Sequence, residues 1–178
     1  MTTLRTADFL LRPLAPADAA ELSAAVRESL ATVGKWMTWA HAGYDIEQAA
    51  GWIATCAANR AAGSAHEFGI FRPGSDRLLG MAGLNQFNTV HAFCNLGYWV
   101  RESAQRQGAA LAVTCVLARH AFDALGLARV EIVVAEGNEA SLAVALKAGA
   151  VHECLARNRL QLHGRAVAAH VLSLVPPL

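Results

Sequence analysis

Two segments of this 178-residue chain carry residue types whose spacing could do chemistry. The first is Tyr98-Trp99-Val100-Arg101-Glu102-Ser103-Ala104-Gln105-Arg106-Gln107-Gly108-Ala109-Ala110, where an apolar run hands over to a long alanine-rich stretch. Within it Gln105, Arg106, Gln107, Gly108, Ala109 and Ala110 form the entry to a helix, and its small residues let backbone N–H groups approach a ligand closely. The first N–H groups of a helix have no partner inside it, and the helix dipole adds partial positive charge. A pyrophosphate fits such a start, with Arg101 and Arg106 expected to add charge at the rim. The same residues also suit an ordinary helix start with small side chains for packing. The second segment is Gly137-Asn138-Glu139-Ala140-Ser141. Asn138 is a good N-cap, which by itself needs no function. Ser141 lies one turn further on the same side, where its hydroxyl can donate to a group held in a cleft.

Other chemistries find no pattern. Neither segment reads GxxxxGK[ST] or GxGxxG, which argues against a nucleoside triphosphatase. No GxSxG elbow is present. Cys56, Cys94, Cys115 and Cys154 are far apart with no CxxC, so they read as small hydrophobes of an intracellular protein. His163 and His170 straddle a turn, and no HxxxH or HxH occurs, so no metal site is expected.

Composition sets the class. With 54% hydrophobic and 16% charged residues the chain is not disordered. The net charge of +1 offers no global field for nucleic acid. The apolar run from Gly108 to Ala118, flanked by Gln107 and Arg119, is far short of the ~20 residues that span a bilayer. The start MTTLRTADFLLRPL lacks a secretory core. A cytoplasmic single domain over 1–178, with no membrane or direct nucleic-acid partner, is expected.

These segments need elements to hold them. Phe9 to Leu14 reads as a strand ended by Pro13, and Pro16-Ala17-Asp18 opens a helix to about Leu30. An aromatic loop follows, with Trp36, Met37 and Trp39. Asp45 caps a helix reaching about Asn59. His66–Phe71, Leu78–Asn88 and Phe93–Val100 read as an antiparallel meander, with Arg72-Pro73-Gly74-Ser75-Asp76 as a turn. A helix from Gly108 to Leu125, a strand over Arg129–Ala135, a helix capped by Asn138 and a hairpin of Val151–Leu162 and Arg165–Leu174 complete the chain. The order is β-α-α-β-β-β-α-β-α-β-β, an α/β class with a mixed, mostly antiparallel sheet. The crossover through the Gly108 helix implies a parallel pairing.

QRQGAA after a GYWV strand, with an N-x-x-S helix ending K-A-G-A, resembles the GNAT superfamily of acetyl-CoA-dependent N-acetyltransferases. The LRPL start, the WMTWA loop and the length resemble its ribosomal-protein N-terminal acetyltransferase (RimJ/RimL-like) branch. The resemblance covers almost the whole chain and implies the GNAT fold. It implies acetyl-CoA as cosubstrate, with its pyrophosphate cradled by backbone amides over Gln105, Arg106, Gln107, Gly108, Ala109 and Ala110. The strand before them would splay from its parallel neighbour, and the backbone near Trp99 and Val100 would pair with the pantetheine arm. Asn138 and Ser141 match the family's asparagine and serine, the serine as donor to the leaving thiolate. The acceptor groove would be lined by Trp36, Met37 and Trp39, with Asn85 and Phe87 on the facing strand.

Acetyl transfer to an amine needs an unprotonated nitrogen, a stabilised oxyanion and a departing thiolate. No enzyme nucleophile is required. Many relatives carry a glutamate two residues before the GYW glycine, where this chain has Asn95. Branch members also often carry one in the penultimate strand, aligned here with Leu160. Glu67, His66 and His91 are the remaining candidates for a base. An N-terminal α-amine, with a pKa near ~7.7–8.0, is partly neutral without one. The resemblance to that branch implies a protein or peptide N-terminus as the acceptor. A small-molecule amine acceptor and a catalytically weak acyl-CoA-binding module are the alternatives, and a homodimer is left open.

Overall fold

The computed structural model describes residues 2–176. Its elements are β1 (Leu4–Arg5), β2 (Leu10–Arg12), α1 (Ala19–Glu28), α2 (Ile46–Ala61), β3 (His66–Phe71), β4 (Gly80–Asn88), β5 (Phe93–Val100), α3 (Ala109–Asp123), β6 (Arg129–Ala135), α4 (Glu139–Lys147), β7 (Val151–Leu162) and β8 (Arg165–Leu174). Short 3-10 turns at Pro16–Asp18 and Glu102–Ala104 precede α1 and α3. The order is the expected one, preceded by an extra strand. β1 has only two residues and pairs Leu4 with Leu11, too short a run to show alternation. α1 stops at Glu28, close to the expected Leu30, where the Ser29 N–H turns to the Val26 carbonyl three residues back at 3.0 Å. β4 starts at Gly80 instead of Leu78, since the Leu78 N–H donates to the Glu21 carboxylate at 3.1 Å instead of to a strand.

The eight strands form one sheet in the order β1-β2-β3-β4-β5-β6-β8-β7. Every neighbouring pair is antiparallel except β5 with β6. Hydrophobic side chains cover both faces. On one face Phe68, Ile70, Leu84, Leu96, Val130, Ile132 and Leu172 pack with Val113 and Leu117 of α3 and Ala145 of α4. On the other, Phe71, Leu78, Met81 and Trp99 pack with Leu22 and Val26 of α1 and Ile53 of α2. Ala109, Val113 and Leu117 recur every four residues along the buried stripe of α3. Each fully buried leucine or phenylalanine contributes ~1.5–3 kcal/mol.

Alternation along β5 divides its side chains between these faces. Cys94, Leu96, Tyr98 and Val100 join the α3 side, and Trp99 the α1/α2 side with Asn95 and Gly97 in phase with it. The β5–β6 pairing runs from Phe93↔Arg129 through Cys94↔Val130 and ends at Asn95↔Glu131. Beyond that rung β5 stays with β4 and β6 stays with β8, so the two parallel strands diverge. Among the described residues no helix is long and apolar enough to cross a membrane.

Candidate active site

The gap between β5 and β6 opens beside the start of α3. Two hydrogen bonds fix which backbone groups face it. The Ala92 carbonyl accepts from the Ala128 N–H at 2.7 Å on the β6 side, and the Arg101 N–H donates to the Leu79 carbonyl at 2.8 Å on the β4 side. Alternation then turns the N–H and C=O of Tyr98 and Val100 toward β6, and those of Trp99 toward β4, where it pairs with Met81. The Trp99 ring is buried and meets Trp39 edge-on at 5.8 Å. So the backbone facing the gap belongs to Tyr98 and Val100, which corrects the expectation for Trp99. The Val100 carbonyl already accepts from Gln105 Nε2 at 3.1 Å, a donor that also reaches Thr32 Oγ1 at 3.1 Å.

Gly108 is the N-cap of α3 at φ 83°, a left-handed conformation that favours glycine. It has no side chain to cap the helix, and a Cβ built there meets nothing within 4 Å. The first i→i−4 bond is Ala112 N–H to the Gly108 carbonyl at 3.0 Å. The amides of Ala109, Ala110 and Leu111 therefore have no partner within the helix. An uncapped, roomy helix start of this kind fits an anion such as a diphosphate. Arg106 is exposed beside it, and Gln107 accepts from Arg72 at 2.8 Å and donates to the Ser103 carbonyl at 3.1 Å. Arg101 departs from expectation. Its buried guanidinium binds Glu28 and Glu21, each at 2.6 Å, so its charge is consumed in holding β5 to α1 and not offered at the rim. Burial alone would lower its pKa, but these two carboxylates raise it.

Across the gap, Asn138 Oδ1 accepts from the Ser141 N–H at 3.3 Å and caps α4. That is the structural role open to any N-cap asparagine, and it leaves the amide NH2 as the group Asn138 can offer. The Ser141 hydroxyl lies 3.0 Å from the Tyr98 hydroxyl, which also donates to the Ser141 carbonyl at 3.1 Å. Sequence reasoning gave Tyr98 no role, although its even position on β5 puts it on the α4 side. Burial raises its pKa, opposed by the Ser141 contact, so the phenol keeps its proton.

The other face holds the acceptor-side candidates. The Trp36 ring reaches over to the β6–α4 turn, where a Cβ on Gly137 would lie 3.9 Å from it. His163 Nε2, in the β7–β8 turn, sits 3.1 Å from the Gly34 carbonyl and 3.3 Å from that of Lys35. The aromatic loop is thus tied across the opening. Trp39 is 41% exposed and contacts Trp99 and Tyr44. Asn85 faces the same side and hydrogen-bonds Asn95 and Glu67. Phe87 does not. The β4 register jumps between Asn85 and Asn88, Gln86 takes φ 52°, and Phe87 packs into the α3-side core. Of the candidate bases, His66 meets Phe87 and His120 edge-on, on the α3 side, with its pKa lowered by burial, Arg60 and His120. His91 is exposed in the β4–β5 turn. Glu67 alone shares the face of Asn95, and burial raises its pKa against the opposing effects of Asn85 and Arg60. Leu160 lies on β7 opposite Val167. Among the described residues no three His, Cys, Asp or Glu side chains gather as a metal site.

Residues 8–151 match the sequence profile of the Acetyltransferase (GNAT) domain. YdaF, a candidate ribosomal N-acetyltransferase of Bacillus subtilis (strain 168), is 30% identical over 155 residues, covering 86% of this chain and 84% of YdaF. A solved candidate ribosomal-protein-serine acetyltransferase from Vibrio cholerae is 32% identical, covers 98% of both chains and superposes with a TM-score of 0.87. RimL, described as a ribosomal L7/L12 α-N-protein acetyltransferase and solved with coenzyme A, shares the fold at a TM-score of 0.89 with 19% identity, covering 98% of each chain. A profile spanning most of the chain, over a sheet that parts beside an uncapped glycine start, makes this chain an N-acetyltransferase of the GNAT family.

Proposed function

We propose that this chain transfers an acetyl group directly from acetyl-CoA to a protein or peptide N-terminal α-amine. The observation that carries the reading is the parting of β5 from β6 after Asn95, beside the uncapped start of α3 and the Ser141 hydroxyl. The amides of Ala109, Ala110 and Leu111, with the dipole of α3, would hold the pyrophosphate, and Gln105 braces the loop below them. The backbone of Tyr98 and the N–H of Val100 face the gap and would pair with the pantetheine arm. Acetyl-CoA itself would supply the acyl group already activated as a thioester. Coenzyme A in RimL, and acetyl-CoA in the fold neighbour MccE, support this choice of cosubstrate.

The Ser141 hydroxyl donates a proton to the departing thiolate and is restored by the proton that the acetylated nitrogen loses, with the Tyr98 hydroxyl 3.0 Å behind it. Trp36 and Trp39 form the wall on the acceptor side, with Asn85 on the sheet beneath. A peptide acceptor suits an aromatic wall. An α-amine suits a site with Asn95 and Leu160 where relatives carry carboxylates, because part of it is already neutral near pH 7. Names of relatives as ribosomal-protein acetyltransferases point to the same class of acceptor.

The test is acetyl-CoA turnover, read as free thiol, with serine- and alanine-initiated pentapeptides, spermidine and an aminoglycoside. The peptides are expected to be acetylated. Turnover of the small amines alone would reassign the acceptor, and coenzyme binding with no thiol release from any amine would leave only a binding module.

A further inference from the structure

Three polar side chains form a row on the acceptor-side face of the sheet. Glu67 stands on β3, Asn85 on β4 and Asn95 on β5. Asn85 Nδ2 donates to Glu67 Oε1 at 3.2 Å, and Asn95 Nδ2 donates to Asn85 Oδ1 at 2.9 Å. The direction of this chain has a cause. An amide can be turned either way round, but a carboxylate only accepts. Glu67 therefore obliges Asn85 to point its NH2 toward β3 and its oxygen toward β5. Asn95 must then spend its NH2 on Asn85, which leaves Asn95 Oδ1 as the acceptor at the end of the row.

The carboxylate is built into its place. Gly83 lies opposite Glu67 in the register, and any Cβ there would collide with the carboxylate oxygens. The charged and titratable groups facing Glu67 are Arg60 and Cys56 of α2, and Arg60 donates to the Glu67 backbone carbonyl. The other end of the row is equally specific. Asn95 occupies the last paired rung of β5 with β6, opposite Glu131, immediately before the strands diverge. Glu131 is itself held by Arg129 at 3.0 Å.

We propose that Asn95 Oδ1 is the subsite for the acceptor's primary amine, oriented by Glu67 through Asn85. The inference rests on the acetyl-transfer reading above and deepens it. Asn95 takes one N–H of the amine and leaves the nitrogen lone pair free. A carboxylate at this apex would favour the ammonium form, which has no lone pair to attack with. The row instead keeps its own negative charge two strands away and presents an amide oxygen to the substrate, while the carboxylate of Glu131 on the adjacent strand is paired with Arg129. No proton passes along the amides. Glu67 and Asn85 are positioning residues and Asn95 is the contact.

The test is a swap that reverses the row. Kinetics are measured with the amine of the panel that the wild type acetylates fastest, against acetyl-CoA. In Glu67→Gln the end of the row no longer dictates a direction, and the acceptor KM is expected to rise about tenfold while the acetyl-CoA KM stays within about twofold. In the double variant Glu67→Gln/Asn95→Asp every hydrogen bond is remade in the opposite sense. The amide introduced on β3 donates to Asn85 Oδ1, and Asn85 Nδ2 donates to the carboxylate introduced on β5. The acceptor KM is expected to return to within about threefold of wild type, while kcat stays below wild type because the carboxylate now at the apex holds the acceptor as ammonium. Thermal melting of both variants, and the affinity of each for coenzyme A by calorimetry, are expected to match the wild type. An unchanged acceptor KM in Glu67→Gln, an equal rise for both substrates, or no recovery in the double variant overturns the subsite while leaving acetyl transfer standing. If the wild type acetylates no amine of the panel, the acetyl-transfer reading fails first and takes the subsite with it.

Discussion

The starts of α2 and α3 solve the same problem in opposite ways. At α2, Asp45 Oδ1 accepts from the Gln48 N–H at 2.8 Å, and Gln48 Oε1 accepts from the Asp45 N–H at 3.2 Å. Two of the orphan donors are satisfied by the chain itself, an arrangement that contributes ~1 kcal/mol to stability. At α3 the cap is Gly108, which satisfies none. Yet the approach to α3 is firmly held. The Glu102 N–H donates to Ser29 Oγ and the Ser103 N–H to Glu28 Oε1, both at 3.0 Å. Arg101 and Gln105 bind the same region from below. The chain is ordered up to the helix and then stops supplying partners. A helix start fixed by its surroundings but left uncapped is preorganised for a ligand, because little ordering remains to oppose binding.

Substitutions on the two sides of this contrast should separate affinity from stability. The largest effect is expected from Gly108→Glu. A left-handed non-glycine residue costs ~1–3 kcal/mol, and a carboxylate over the amides repels phosphates. Coenzyme A affinity by calorimetry should fall on the order of 100-fold. Ser141→Ala should lower kcat about tenfold, a modest loss for an acid because a thiolate leaves readily, with coenzyme affinity unchanged. Unchanged kcat in single-turnover chemistry would remove Ser141 from its role.

The third effect is confined to acid. Burial would raise the Glu28 pKa, but hydrogen bonds from Ser103 and Arg101 outweigh it and hold the carboxyl at about 2, against an ordinary 4.5. A depressed folded-state pKa contributes stability above the unfolded value that is lost as pH falls from about 4.5 toward about 2. Denaturation followed across that window should flatten in Glu28→Gln, and an unaltered slope would show that Glu28 is not the group titrating. The smallest effect belongs to α2. Asp45→Ala should cost ~1 kcal/mol in chemical denaturation and leave coenzyme affinity untouched.

Much of this architecture is legible because punctuation in the sequence is strong. Pro13, Asp45, Gly108 and Asn138 mark element ends with residues that only a few conformations reward. Parity is harder. Whether a strand residue faces one neighbour or the other depends on pairing, and so Trp99 reads as facing the gap until the Ala92 and Arg101 hydrogen bonds set the phase. A single extra residue at Gln86 moves Phe87 to the opposite face from Asn85, and nothing local in the sequence announces it. Arg101 reads as charge at the rim because its partners, Glu21 and Glu28, lie on a helix some seventy to eighty positions away. The Tyr98–Ser141 contact is invisible for the same reason, whereas the row from Glu67 to Asn95 joins consecutive strands and is hidden by its dependence on their exact register.

Coenzyme A titrated into 15N-labelled protein reports on the backbone amides of both helix starts at once. The signals of Ala109, Ala110 and Leu111 are expected to shift strongly, while those of Ile46, Glu47 and Gln48 stay in place. Saturable binding that leaves the α3 amides unmoved would mean that the phosphates are held elsewhere.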